Sequence, residues 1–241
     1  MTEDKDNYQR HISQMFNNEM GELKDNLLKM GGIVEKQIES AIISLVDRDY
    51  HLAEQVRAKD KEVDLIEREI DELAIHLIAK RQPAASDLRL VMAVVKMVAD
   101  IERIGDEAKK IAKLAIELAK IGDVTRGYVE VRHLSTHVGV MVRDGLDAFA
   151  RFDTTLALKV IKEDDRVDEE YSSAARALMT FMMEDPRSIT HCMNMMWILR
   201  ALERIGDHAN NLAEQVIFMV EGTDVRHQSI EATEKVIGQK S

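Results

Sequence analysis

Two pairs of carboxylates recur in this sequence with the same spacing. Glu102 and Asp106 are four residues apart, and so are Glu203 and Asp207. Residues four apart share one face of a helix, so each pair presents two carboxylates together. Asp60 with Asp64, and Asp164 with Asp168, repeat that spacing upstream. Asp64 lies 19 residues before Pro83 and Glu102 lies 19 after it; Asp168 lies 18 before Pro186 and Glu203 lies 17 after it. If the chain reverses at each proline, at ~1.5 Å per residue the acids of both strokes reach nearly the same depth. Carboxylates gathered from two adjacent helices suit hard or borderline cations, so divalent or trivalent Mg, Mn, Fe or Zn ions are the expected cofactors. Asn210 and Asn211 follow one turn beyond Asp207 and can assist, whereas their first-half counterparts are Lys109 and Lys110. A lone acidic pair is usually solvated surface. Here the pairs recur in register with glycine and arginine, as Glu102-Arg103-Ile104-Gly105-Asp106 and Glu203-Arg204-Ile205-Gly206-Asp207.

The elements that must position these acids are helices. Apolar residues at steps of three or four predict six of them, over roughly 8–46, 50–80, 87–120, 128–151, 153–183 and 187–219. The third has the seam Val94, Met97, Ile101, Ile104, Ala108, Ile111, Ala115 and Leu118; the sixth repeats it 101 residues later, from Met195 to Met219. Pro83 disfavours helix at Gln82, Ser86 or Asp87 is placed to cap the third helix, and Gly122 to end it in a left-handed turn. With Ile101 and Ile104 at the core positions a and d, Glu102 falls at b and Asp106 at f, both directed away from their own core. Gly105 and Gly206 lie at e. A glycine there costs about 0.5–1 kcal/mol relative to alanine, which points to close approach of another backbone or a ligand. The reading is an all-α chain of six long helices, forming two tandem, duplicated antiparallel three-helix bundles. The expected domains are 1–124 and 125–241, the second with a short C-terminal tail.

Composition agrees with that reading and narrows the function. The 241 residues include only two prolines and 4% aromatic residues, a mixture that long helices tolerate and sheets do not favour. A net charge of −11 argues against direct nucleic-acid binding and against attraction to anionic membranes. Cys192 is the single cysteine, so no internal disulfide can form. The start of the chain reads as no signal peptide, and no apolar run approaches the ~18 residues of a membrane span. These features predict a soluble, cytoplasmic protein with no membrane span and no attraction of its own to anionic membranes.

The strings VADIERIGDEAKKIA (98–112) and LERIGDHANNLAEQ (202–215) carry a family resemblance. NLLKMGGIVEKQI (26–38), IAKRQPAASDLRLVMAVVK (78–96) and MTFMMEDPRSI (179–189) extend it. Over nearly its full length the chain resembles the PhoU family of phosphate-specific transport accessory proteins. That resemblance implies a negative regulator of the phosphate-starvation response and of phosphate homeostasis. Such a regulator couples a high-affinity phosphate ABC transporter, through its ATPase component, to a sensor histidine kinase, and restrains phosphate uptake. It is not an enzyme. The resemblance also implies two three-helix bundles, a homodimer and surface metal clusters. The family's acidic signature maps onto Glu102 with Asp106 and Glu203 with Asp207. Acids of the preceding helices map onto Asp60, Asp64, Asp164 and Asp168, and the helix-six amide onto Asn211. Lys110 stands where the first half would have that amide; a protonated ammonium cannot coordinate a metal, so a weaker or smaller first site is expected.

Two other readings compete. Paired carboxylates can hold two metals for phosphoester hydrolysis, although the sequence has no Gly-rich phosphate cradle or catalytic loop. A helical adaptor would need no metal at all. His133, His137, His191, His208 and His227 form no metal-binding motif and are expected in surface or packing roles. Met179, Met182, Met183, Met193, Met195 and Met196 are expected chiefly to fill the core near the last turn.

Overall fold

The computed structural model describes residues 2–121 and 127–238, with side chains from residue 14 onward. Its helices are α1 (Thr2–Val46), α2 (Tyr50–Arg81), α3 (Ala85–Ala119), α4 (Tyr128–Arg151), α5 (Thr154–Glu184), α6 (Ile189–Glu221) and α7 (Ile230–Gly238). Asp49 and Asp153 start α2 and α5 by accepting backbone N–H bonds from Leu52, and from Thr155 and Leu156. They satisfy first-turn donors that the helix itself leaves open. The α5–α6 link is a single 3-10 turn, Pro186–Ser188, tied by Asp185 to the Arg187 backbone N–H.

The reversal at Pro83 is tighter than expected. Gln82 takes a left-handed conformation (φ 47°, ψ 56°), and α3 begins at Ala85 after an extended Ala84 with no side-chain cap. Ser86 and Asp87 therefore lie inside the first turn instead of capping it, and Asp87 faces the positive end of the helix dipole. The C-terminal segment expected as a tail forms α7, which packs on α5 and α6. The Gly122 turn and the boundary between 124 and 125 lie outside the described residues.

Helices α1, α2 and α3 pack together as one three-helix unit, and α4, α5 and α6 as another. Every member of the repeated seam is buried, from Val94 to Leu118 and from Met195 to Met219. The halves also pack on each other, α3 along α6 and α1 against α4. For this reason α3 and α6 are buried on more than one stripe: Ala93, Val98 and Ala112 in one, Leu199, Ala201 and Ala213 in the other. Polar pairs cross this join. Arg204 Nη1 lies 2.8 Å from Glu107, Asn211 Nδ2 donates to Asp100 at 2.9 Å, and His208 Nδ1 lies 2.9 Å from the same carboxylate oxygen. The carboxylates come from α3 and their partners from α6, so the pairing fixes which face of one half meets the other.

The methionines near the last turn depart from expectation. Met195 is in the core, but Met179, Met193 and Met183 are exposed, Met183 by 85%. They follow the outward phase of α5 and α6, as do exposed Ile189 and Trp197 on α6. No described helix is long and apolar enough to cross a membrane.

Candidate functional site: two acidic clusters of unequal character

In the second half, α5 and α6 bring Asp168, Glu203 and Asp207 together, with one oxygen of each within 4.8 Å of the others. Three short facts build this arrangement. Asp164 and Asp168 are one turn apart on α5, Glu203 and Asp207 are one turn apart on α6, and Gly206 lets the two helices close. A Cβ on Gly206 would stand 3.2 Å from Val167 Cγ1 and 3.9 Å from both Asp164 Oδ1 and Val138 Cγ2. The glycine therefore admits neighbouring side chains, not another backbone. Gly105 does the same in the first half, where a Cβ would stand 3.3 Å from Gln37 Oε1 and 3.5 Å from Val34 Cγ2.

Glu203 is not on an open face as position b suggested; it is buried at 7% exposure, in the crease between α6 and α5. One of its oxygens is held by Arg200, whose guanidinium lies 5.7 Å from the centre of the Tyr171 ring. Its other oxygen, Oε2, is buried without a hydrogen-bond partner, and so are Asp164 Oδ1 and Asn210 Oδ1. Burial, with the nearby Asp207 carboxylate, pushes Glu203 up to about 7. Burial, then Asp207 and Asp168, pushes Asp164 up to about 6. Asp207 is raised by burial and by Asp168. Uncompensated carboxylates at this density hold protons unless a cation replaces them.

The first half carries the equivalent acids in a different state. Lys109 Nζ donates to Asp60 and lies 3.8 Å from Asp106. Asp60, foremost through that hydrogen bond, with Asp106 and Asp64, raises the lysine's own pKa. The lysine in the cluster is thus Lys109. Lys110, singled out from the sequence, turns to Glu107 at 3.1 Å. Arg103 stands 3.6 Å from Glu102, as a local arginine partner would, whereas Arg204 reaches across the join to Glu107. Glu102 is raised by burial and by Asp106, with Glu67 and Asp64 also contributing. Glu67 is an addition that spacing did not suggest. It lies on α2 one turn from Asp64, and its carboxyl is raised by burial and by Asp71 and Asp64.

Asn211 lies one turn beyond Asp207, but its amide nitrogen is committed to Asp100 across the join. The α4 histidines staple α4 to α5. His137 lies 2.9 Å from Glu163 and 3.1 Å from Glu170, and His133 3.2 Å from Glu170. Cys192 is buried.

Two repeated three-helix units, each carrying an acidic cluster and joined by polar pairs between α3 and α6, make an all-helical protein in which Asp168, Glu203 and Asp207 are placed where they could coordinate a cation. Comparison with known proteins then fixes the class. The PhoU domain matches residues 27–115 and again 131–216. The PhoU homolog of Pseudomonas aeruginosa, a phosphate-specific transport system accessory protein, is 55% identical over 223 residues, covering 92% of each chain. The PhoU of Escherichia coli K12 is 41% identical over 235 residues, covering 97% of each. The crystal structure of PhoU from P. aeruginosa superposes with a TM-score of 0.84 at 54% identity, over 86% of this chain and 100% of that one. A phosphate transport system regulatory protein, PhoU from Streptococcus pneumoniae, gives 0.80 at 26% identity, over 87% and 99%. The chain belongs to the PhoU family of non-catalytic regulators of phosphate homeostasis.

Proposed function

We propose that this protein is a negative regulator of the phosphate-starvation response, working in the cytoplasm as a homodimer split into domains 1–124 and 125–241. It couples the ATPase component of a phosphate ABC transporter to a sensor histidine kinase and restrains uptake when phosphate is sufficient. The relatives' description as phosphate-specific transport system accessory proteins supports this reading. Exposed Met179, Met183, Met193 and Trp197 support it too, since methionine and tryptophan make adaptable docking surfaces.

The single observation that carries a metal-dependent mechanism is the convergence of Asp168, Glu203 and Asp207 around buried carboxylate oxygens that have no partner. That donor set fits a di- or trivalent cation. Asp164, Asp168, Glu203 and Asp207 would hold it, with Asn211 on the rim; Asp60, Asp64, Glu102 and Asp106 are the first-half candidates. A bound cation would neutralise the cluster and reverse the local field of an otherwise anionic face. Arg200 holds one oxygen of Glu203 and leaves the other, Oε2, buried without a partner. The salt-bridged join keeps the two acidic faces in fixed relation for a partner to read.

The test is alkaline phosphatase activity in phosphate-rich culture. A strain lacking the protein should express it strongly, wild type should silence it, and a variant carrying E102Q, D106N, E203Q and D207N should not. Equal, low activity with and without the protein would overturn the regulatory reading. Full restoration by the variant would overturn the metal mechanism.

A further inference from the structure

The repeat lets each residue of one cluster be compared with its counterpart in the other. Val34 and Val63 approach Gly105 as Val138 and Val167 approach Gly206, which sets the register at 104 residues for α1 and α2 against α4 and α5. For α3 against α6 it is 101. In that register Asp60 corresponds to Asp164 and Lys109 to Asn210. Asp60 and Lys109 form an ion pair. At the matching places in the second half, Asp164 Oδ1 and Asn210 Oδ1 are both buried and unpartnered. No carboxylate of the first-half cluster has a buried unpartnered oxygen among the described residues. The exception to simple symmetry is Arg200, whose first-half counterpart is Ala99. It engages Oε1 of Glu203 and leaves Oε2 without a partner, so it does not do what Lys109 does.

We infer that Lys109 is the first half's own cation, a tethered ammonium in the place where the second half takes a metal ion. Its residue type thereby decides which of the two clusters binds metal. Asp60 and Asp106 are drawn to the ammonium, and the trio Asp64, Glu102 and Asp106 does not meet the close convergence that Asp168, Glu203 and Asp207 reach. A metal entering the first half must displace a positive charge from that pair and suffer its repulsion if it remains. A metal entering the second half meets neutral amide and orphaned carboxylate oxygens, which gain from it what they lack now. The protein is in this sense half-loaded by its own sequence. The inference rests on the metal reading of the second cluster and deepens it by assigning the asymmetry to one residue.

The test exchanges the two side chains and titrates each protein with Mn²⁺, reading stoichiometry by calorimetry and by metal analysis after gel filtration. Wild type should bind Mn²⁺ at the second half alone, with E203Q/D207N abolishing it. Lys109→Asn should add a first-half binding event at least about 10-fold tighter than any there in wild type, removable by E102Q/D106N. Lys109→Met should remove the tethered charge without supplying an amide ligand, and give a smaller gain. Asn210→Lys should weaken second-half binding by at least about 10-fold while raising the melting temperature of the metal-free protein. Circular dichroism confirms that each variant folds. Equal binding at both halves in wild type, or unchanged stoichiometry and affinity in both Lys109 variants, overturns the inference and leaves the metal reading standing. Absence of any Mn²⁺ binding in wild type removes the metal reading, and the inference with it.

Discussion

The two halves of this chain share a backbone plan and differ in how they balance the same charges. In the first, Lys109 sits against Asp60 and Asp106. In the second, the matching asparagine and aspartate carry buried oxygens with nothing to bind, next to a glutamate pushed up to about 7. Duplication copies helices and seams faithfully because a seam residue touches many neighbours. A single position outside the seam, such as 109 or 210, is freer to change, and changing it alters the chemistry of the whole cluster. Two clusters that look equivalent as motifs are therefore inequivalent as sites.

Substitutions in the acidic clusters should separate the two halves experimentally. The largest effect is expected from E203Q with D207N, which removes two of the three convergent carboxylates. Second-half Mn²⁺ affinity should fall by at least about 100-fold by calorimetry, since even supporting residues of metal sites are worth 10–100-fold. The paired change E102Q with D106N should leave that binding event intact. Metal itself should stabilise the fold. At free Mn²⁺ about 100 times the dissociation constant, linkage supplies about 2.7 kcal/mol. For a chain of this length that is a rise of about 5–10 °C in melting temperature, reversed by chelator and absent from the E203Q/D207N variant.

Acidity sharpens the contrast further. Glu203 and Asp164 have folded values above their ordinary ones, so the native protein holds protons that the unfolded chain has released. The stabilisation is complete below about pH 4 and is lost as pH rises through about 6 and 7. Metal-free protein should accordingly melt at lower temperature at pH 8 than at pH 5.5. E203Q should flatten that slope. Mn²⁺ affinity should rise over the same interval, because metal and protons compete for the same oxygens. The smallest effect concerns the core beneath the first cluster. Gln37 is 1% exposed with neither side-chain amide atom hydrogen-bonded, and its counterpart is the buried Met141. Gln37→Met removes an unsatisfied amide at nearly constant volume, and should stabilise by about 1 kcal/mol, read as a small rise in melting temperature.

Most of the architecture was legible in the sequence because seams are periodic and the repeat doubles the signal. The 101-residue echo identified α3 and α6 as counterparts, and their seams are buried as expected. The packing of α3 on α6 was not legible. A heptad read within one half assigns each residue a single inward direction, so it gives no reason for Glu107 to be buried and paired with Arg204 of the other half. Position b directs Glu203 outward, whereas it is buried beside Asp168 of α5. Glu67 carries no repeat signal, because its counterpart in the second half is Tyr171. Lys109 and Lys110 are adjacent, and only the rotation of the helix decides which one reaches Asp60. The exposed methionines show the same limit, since composition says that methionine fits cores but only helix phase says which of several faces inward.

Which cluster takes the metal is read directly from an anomalous difference map of Mn²⁺-loaded crystals, collected at the manganese edge. A peak is expected among Asp168, Glu203 and Asp207 and none over Asp60 and Lys109. A peak confined to the first half, equal peaks in both halves, or no peak at either cluster in fully loaded crystals would contradict that expectation.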